Sequence, residues 1–221
     1  MIHEFHYSAG SLNSLLMEQL SFDISRASKS RTIASSGVFQ IELLNHAGEY
    51  DYPQLIEISK HLAKEYGEPA VLTKTTIRKY FNKPGSLPFI ARYRKEIIGY
   101  IIGIPVEELH SEPWARLDDN FGKNNTLYTY AFVVLSKFKG HGYAKMLKRV
   151  YLNWAKKKDG IRYVTGHVKE GVSKKFTGDI RIVNRVDNWQ GTGIPFEYYR
   201  RDLGPQPGKF QKFNPPLAEQ V

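Results

Sequence analysis

The chain has 221 residues, a formal net charge of +10 and no cysteine. Its length suits one domain with extensions, or two small ones, and is enough to bury a core without covalent staples. The missing cysteine excludes disulfides, thiolate nucleophiles, zinc ribbons and iron–sulfur centres, while the positive charge favours anionic partners such as nucleic acid, phosphorylated cofactors or acidic proteins.

The opening "MIHEFHYSAGSLNSLLMEQL" has neither a basic n-region nor a long apolar h-region, so no signal peptide is expected. The longest apolar stretch, near "IIGYIIGIPV", is too short to span a bilayer. These features predict a soluble, cytoplasmic protein with no membrane partner. Residues 1–37 read as an N-terminal extension. In it Leu12, Leu15, Leu16 and Leu20 suit a short amphipathic helix, and "ASKSRTIASSG" reads as a linker or exposed loop.

From Phe39 the pattern sharpens. "FQIELLN" reads as a strand. "DYPQLIEISKHLAKEYG" reads as a helix, with Asp51 as cap, Pro53 in the first turn, Leu55, Ile58, Leu62 and Tyr66 at helical spacing, and Gly67 as the stop. "TKTTIRKYF" predicts a second short helix. "LPFIARYRKEIIGYIIGIPV" predicts a hairpin turning at the polar "RKE". The segment "EELHSEPWARLDDNFGKNN" has no period, and a loop of roughly 20 residues inside a domain usually carries function or is disordered.

"TLYTYAFVV" is the next strand, and its alternation puts Tyr128, Tyr130 and Phe132 on one face. Residues Tyr143 to Trp154 follow a helical pattern, with Tyr143, Leu147, Val150 and Trp154 on one side and Lys156 to Lys158 in the last turn, where the helix dipole favours them. "IRYVTGHV" and "FEYYRRDL" are strands separated by an irregular segment. The proline-rich residues 204–221 read as an extended tail. The sum is an α/β (α+β) domain over 38–203: a mixed, mostly antiparallel sheet of about six or seven strands flanked by helices.

Between the strand and the helix lies "KFKGHGYAKML". A helix N-terminus carries free N–H groups and partial positive charge, and a turn without side chains lets an anion touch that backbone. Gly140 and Gly142 provide the bare turn, and Lys137, Lys139 and Lys145 surround it, which is the arrangement expected for holding a pyrophosphate. The dinucleotide fingerprint fails, since Lys145 stands where its third glycine belongs, and no stretch matches the P-loop spacing.

"VLSKFKGHGYAKMLK" resembles the acyl-CoA-binding motif of the GNAT acetyltransferase superfamily: Arg or Gln, any two, Gly, any, Gly or Ala, with a Val closing the strand just before. Here the matching residues are Val134, Lys139, Gly142 and Ala144, and Lys139 departs from the usual Arg or Gln. The family's order of strand, two helices, hairpin, strand, motif, helix, strand, helix, strand is also similar. The resemblance implies that backbone N–H groups of Lys139, Gly140, His141, Gly142, Tyr143, Ala144 and Lys145 wrap the pyrophosphate of acetyl-CoA. It also implies that an N–H near Phe132, Val133 or Val134 polarises the thioester carbonyl. The family's Asn and its helical Tyr after the next strand have no clear counterpart. Ser173 and Asn184 are alternatives for the Asn, and Tyr198 and Tyr199 fall on a strand.

The implied activity is an N-acetyltransferase, with acetyl-CoA and an amine acceptor as partners. The strand before the motif holds no carboxylate, so Glu107 and Glu108 at the hairpin's end are the candidate bases, and Tyr128 and Tyr130 are candidates for lining the acceptor cleft. His110, Trp114, Asp118 and Asp119 are expected to form the acceptor wall, the acids selecting a cationic amine. The seven histidines show no metal spacing, His167 reads as structural, and no metal is expected. Two other readings use the same residues: a basic nucleic-acid-binding module with aromatic stacking platforms, and a coenzyme-A-binding protein of this fold without catalysis. No nucleic acid is expected as a partner, and a homodimer is compatible with the sequence.

Overall fold

A computed structural model of the chain describes residues 26–205, together with Met17. The amphipathic helix expected near Leu12–Leu20 and most of the tail lie outside the described residues. One eight-stranded sheet runs in the order β1-β2-β3-β4-β5-β6-β8-β7. Its strands are β1 (Lys29–Ser36), β2 (Phe39–His46), β3 (Leu87–Tyr93), β4 (Glu96–Pro105), β5 (Thr126–Val134), β6 (Tyr163–Lys169), β7 (Ile180–Val186) and β8 (Phe196–Asp202). All neighbours are antiparallel except β5 and β6, which are parallel. Among the described residues three helices of eight or more residues cover it, α1 (Tyr52–Tyr66), α2 (Lys74–Phe81) and α3 (Tyr143–Lys157), and a single helical turn, Pro113–Arg116, lies between β4 and β5. The architecture is the expected mixed, mostly antiparallel sheet between helices. No helix among the described residues is long and apolar enough to cross a membrane.

Two apolar clusters hold the layers together. On one face Leu55, Ile58 and Leu62 of α1 and Ile77 and Phe81 of α2 pack on Ile90, Tyr100, Ile102 and Ile104. On the other face Leu147, Tyr151 and Ala155 of α3 pack on Phe39, Phe89, Ile101, Leu127 and Val164. Burial on both faces explains why β4 reads as the continuous apolar run "IIGYIIGI" rather than as an alternating strand. The buried stripe of α3 is Leu147, Tyr151 and Ala155, so the expected stripe of Val150 and Trp154 is rotated to its half-buried flank.

Several local expectations change. Lys29–Ser36 is a strand where a loop or linker was expected. It is a sheet edge, mostly exposed and polar, and so lacks the apolar alternation that marks strands. β7 likewise replaces part of the irregular segment as the opposite edge. Asp51 precedes α1 but makes no side-chain cap; its carboxylate pairs instead with Arg92 at 2.8 Å. Thr73 and Thr76 form a reciprocal capping box on α2. The β3–β4 turn runs through Arg94 and Lys95 at φ 49° and 73°, the two positive φ values of a tight hairpin.

Candidate active site

The parallel pair β5–β6 is short. Its register covers only Thr126↔Tyr163, Leu127↔Val164 and Tyr128↔Thr165, although both strands continue further. Beyond Tyr128 the strands part, and a cleft of about 240 Å³ opens between them and reaches both faces of the sheet. A bulge helps shape it. Ile102 pairs with Ala131 but Gly103 pairs with Thr129, which leaves Tyr130 as the extra residue. Tyr130 and Ala131 therefore both pack towards α1 and α2, and Phe132 falls to the α3 side. The expectation that Phe132 shares a face with Tyr128 and Tyr130 is thereby corrected. Val133 is buried on the α1 side, and Val134 packs on the α3 side.

At the far end of β5 the chain makes a short turn, Ser136–Phe138, and enters α3. Gly140 and Gly142 have φ of 86° and 76°, and a Cβ added to either would meet nothing within 4 Å. Both facts favour glycine: the conformation is left-handed, and the space in front is open. No N–H from Gly140 to Lys145 has a protein partner among the described residues, as the first turn of a helix requires. Lys139 differs, because its N–H donates to Ser136 O at 3.0 Å, so it is not part of the open row. His141 turns its Nδ1 back to the carbonyls of Phe138 and Lys139, at 3.3 and 3.1 Å. The half-buried ring of Tyr143 stacks on Phe39 at 4.1 Å and on His141 at 5.4 Å. The side chains of Lys137, Lys139, Ala144 and Lys145 are exposed around the turn.

The cleft has two unlike halves. Beside α3 it is lined by Phe132, Lys148, Leu152 and Phe176. The Lys148 ammonium lies 3.4 Å from the centroid of the Phe176 ring. Burial, then the charge of Arg201, bring its pKa down to about 8. On the α1 side the walls are aromatic: Tyr66, Tyr80, Trp114, Tyr128, Tyr130 and Trp189. His167 is sandwiched there, 3.7 Å from Trp189 and 4.7 Å from Tyr198 by ring centroids. Its Nδ1 meets the Tyr128 hydroxyl at 3.0 Å. Burial pushes its pKa down to about 3, so the ring is neutral near pH 7. Burial pushes the Tyr128 hydroxyl well up, which keeps it protonated.

The sequence-level candidates divide. Tyr128, Tyr130, Phe132 and Trp114 line the cleft. Glu107 and Glu108 do not. Glu107 accepts from the N–H groups of Gly122 and Asn124 at 3.1 and 2.9 Å and so ties down its loop, while Glu108 pairs with Lys83 at 3.0 Å. Asp118 is buried rather than lining a wall: it accepts from Arg200 at 2.5 Å and Tyr198 at 2.6 Å, with side chains 0% and 1% exposed for Asp118 and Arg200. Asp119 points outward. Ser173 donates to the buried Glu197, and Asn184 lies on the outer strand β7, so neither reaches the cleft. The helix expected by resemblance after β6 is only a turn, Ser173–Lys175, and Tyr198 and Tyr199 are indeed on a strand.

Lys148 escaped the sequence reading although it stands on α3 just after the glycine turn, and so did two further cleft residues. Glu112 is half-buried and, with Lys148, supplies the only formal charges on the cleft wall among the described residues. Trp189 comes from the β7–β8 connection. Neither belongs to a local motif; both arrive by long-range folding. His167 was read as structural, and its place in the cleft has no sequence signal either.

The fold has counterparts among solved structures. Among curated proteins no match is found. Among solved structures, the chain is similar in fold to Arabidopsis thaliana NAA60 in complex with a bisubstrate analogue (TM-score 0.51, 16% identity, 69% of this chain and 94% of that one). It is also similar to the loading GNATL domain of CurA from Lyngbya majuscula (0.55, 12%, 75% and 98%). A third similar structure is the ribosomal-protein-alanine N-acetyltransferase of Brucella melitensis (0.52, 14%, 71% and 97%). The family model described as "Acetyltransferase (GNAT) family" matches residues 53–174, which run from α1 through the glycine turn to the short turn after β6. That match covers more than half of the sequence, and the chain belongs to the acetyltransferase (GNAT) family.

Proposed function

We propose that the protein transfers an acetyl group from acetyl-CoA to a primary amine by direct attack in a ternary complex. The observation that carries this reading is the row of unpartnered N–H groups at Gly140–Lys145, which leads along the unpaired end of β5 into the cleft. The pyrophosphate rests on that row, with the three exposed lysines around it. The pantetheine arm follows β5 past Phe132, and the thioester reaches the place where β5 and β6 part. An N–H on the free edge between Thr129 and Val134 faces the thioester oxygen and stabilises the charge that develops there.

The amine arrives from the aromatic side. Glu112 attracts it as an ammonium ion. The apolar walls then disfavour the charged form, which promotes loss of a proton to Glu112, directly or through water. The amine lone pair attacks the thioester carbon, the C–N bond forms, the C–S bond breaks, and the nitrogen releases its extra proton to water to leave the neutral amide. Coenzyme A departs as a thiolate and takes one proton from Lys148, which carries one below its pKa of about 8. Holding both reactants in one cleft supplies much of the acceleration.

Calorimetric titration with acetyl-CoA tests the site, alongside the double variant Gly142→Glu, Ala144→Glu. Those carboxylates would occupy the turn and repel the pyrophosphate. Binding by the wild type that is lost in a variant with an unchanged circular dichroism spectrum is expected. No binding by a folded wild type would overturn the reading.

A further inference from the structure

We propose that the acceptor is a small primary amine with one positive charge on a flat or aliphatic apolar body, and not a polyamine or a protein N-terminus. This rests on the acetyl-transfer reading and specifies its second substrate. Three observations carry it.

The first is the chemistry of the walls. The α1 side of the cleft presents rings, with Trp114 and Trp189 flanking the neutral His167. Rings offer an apolar body large contact area.

The second is the charge inventory. Glu112 is the only carboxylate lining the cleft among the described residues, and none of their lysines or arginines forms a salt bridge with it. One unpaired carboxylate matches one ammonium. A second cationic centre would lie against rings with no counter-ion, or near Lys148, which would repel it. Asp118, the other acid expected to select cations, is already neutralised by Arg200.

The third is the enclosure. The turn at Gly67, which ends α1, lies against the β7–β8 connection: a Cβ on Gly67 would meet Thr192 Cγ2 at 3.3 Å and Gln190 O at 3.6 Å. Both segments line the aromatic half, through Tyr66 and Pro69 on one side and Trp189 and Gln190 on the other. The whole cleft, both halves together, measures about 240 Å³, and the reacting end of the donor takes part of it. A compact amine fits such a space; an extended peptide needs an open groove.

Two of the three tryptophans line the cleft, so binding can be read without turnover. The full chain is titrated with 2-phenylethylamine, spermidine and a short peptide with a free N-terminus, following tryptophan emission in the absence of acetyl-CoA. Acetylation of each amine is then measured by mass spectrometry. Saturable quenching and acetylation with 2-phenylethylamine are expected, at least about tenfold stronger than with the other two. Glu112→Gln is expected to weaken the amine about tenfold while acetyl-CoA binding stays unchanged, and Glu112→Asp to restore part of the loss. Equal or better use of spermidine or the peptide overturns the proposal, as does the absence of any response to 2-phenylethylamine in a chain that binds acetyl-CoA. Failure to bind acetyl-CoA overturns the acetyl-transfer reading instead, and the amine titration still decides whether the aromatic half binds amines.

Discussion

Tyr128 and His167 meet just beyond the last paired rung of β5 and β6, hydroxyl to Nδ1, at 3.0 Å. The contact bridges the two strands where their backbone ladder has ended. It also fixes the imidazole, so that whichever tautomer is present, Nε2 is the nitrogen left for the cleft.

Burial of His167 makes stability depend on pH. The folded pKa is about 3, against a usual value of 6.5. Between those values the unfolded chain binds a proton that the folded chain refuses, so stability falls as pH drops below 6.5. By pH 5 this histidine alone accounts for roughly 2 kcal/mol of the loss. Urea unfolding of the wild type and His167→Gln at pH 7 and pH 5 checks this: the variant is expected to lose less on acidification. Equal losses would mean that the imidazole is not excluded from charging.

Lys148 should leave a mark on the alkaline side. Its proton is present below a pKa of about 8 and is lost above it. If it protonates the departing thiolate, kcat falls as pH rises through 8. Lys148→Met is expected to lower kcat at pH 7 by about tenfold and to flatten that limb, while acetyl-CoA binding persists. An unchanged alkaline limb in the variant would remove Lys148 from the reaction.

The two neighbouring acids Asp118 and Asp119 should behave oppositely. Asp118→Asn leaves the buried Arg200 with only the exposed Asp119, 3.8 Å away, as counter-charge and is expected to cost about 3 kcal/mol in urea unfolding. Asp119→Asn, at an exposed site, should change stability by less than about 0.5 kcal/mol. A mild effect of Asp118→Asn would show that the pair is not the anchor its geometry implies.

Gly103 is a packing position. A Cβ there would meet the Tyr151 hydroxyl at 2.4 Å and its Cε2 at 2.7 Å, and Tyr151 is fully buried in the α3 cluster. Gly103→Ala is therefore expected to destabilise the fold by about 1–3 kcal/mol, read as a lower denaturation midpoint.

The parts of this molecule legible in the sequence are those written locally. The glycine turn, its lysines and α3 follow one another in the chain, and the β3–β4 hairpin is two adjacent strands. The edge strand Lys29–Ser36 was opaque because a strand exposed along most of its length carries little apolar alternation. The bulge at Tyr130 was opaque for another reason: it depends on the register with β4, which no single strand encodes. Glu107 and Glu112 stand in the same stretch and differ in role only through what lies across from them. The sequence pointed to the first, and the cleft contains the second.

The three-rung parallel seam has a mechanical meaning. On one side of it lie five strands in sequential antiparallel order, and on the other three antiparallel strands in the order β6-β8-β7; few backbone bonds stitch the two. Substrates lodged in that seam would act as mortar between the halves. Their binding should slow amide exchange at Thr126–Tyr128 and Tyr163–Thr165 more than in the flanking ladders, and turn the weakest joint of the sheet into a strong one.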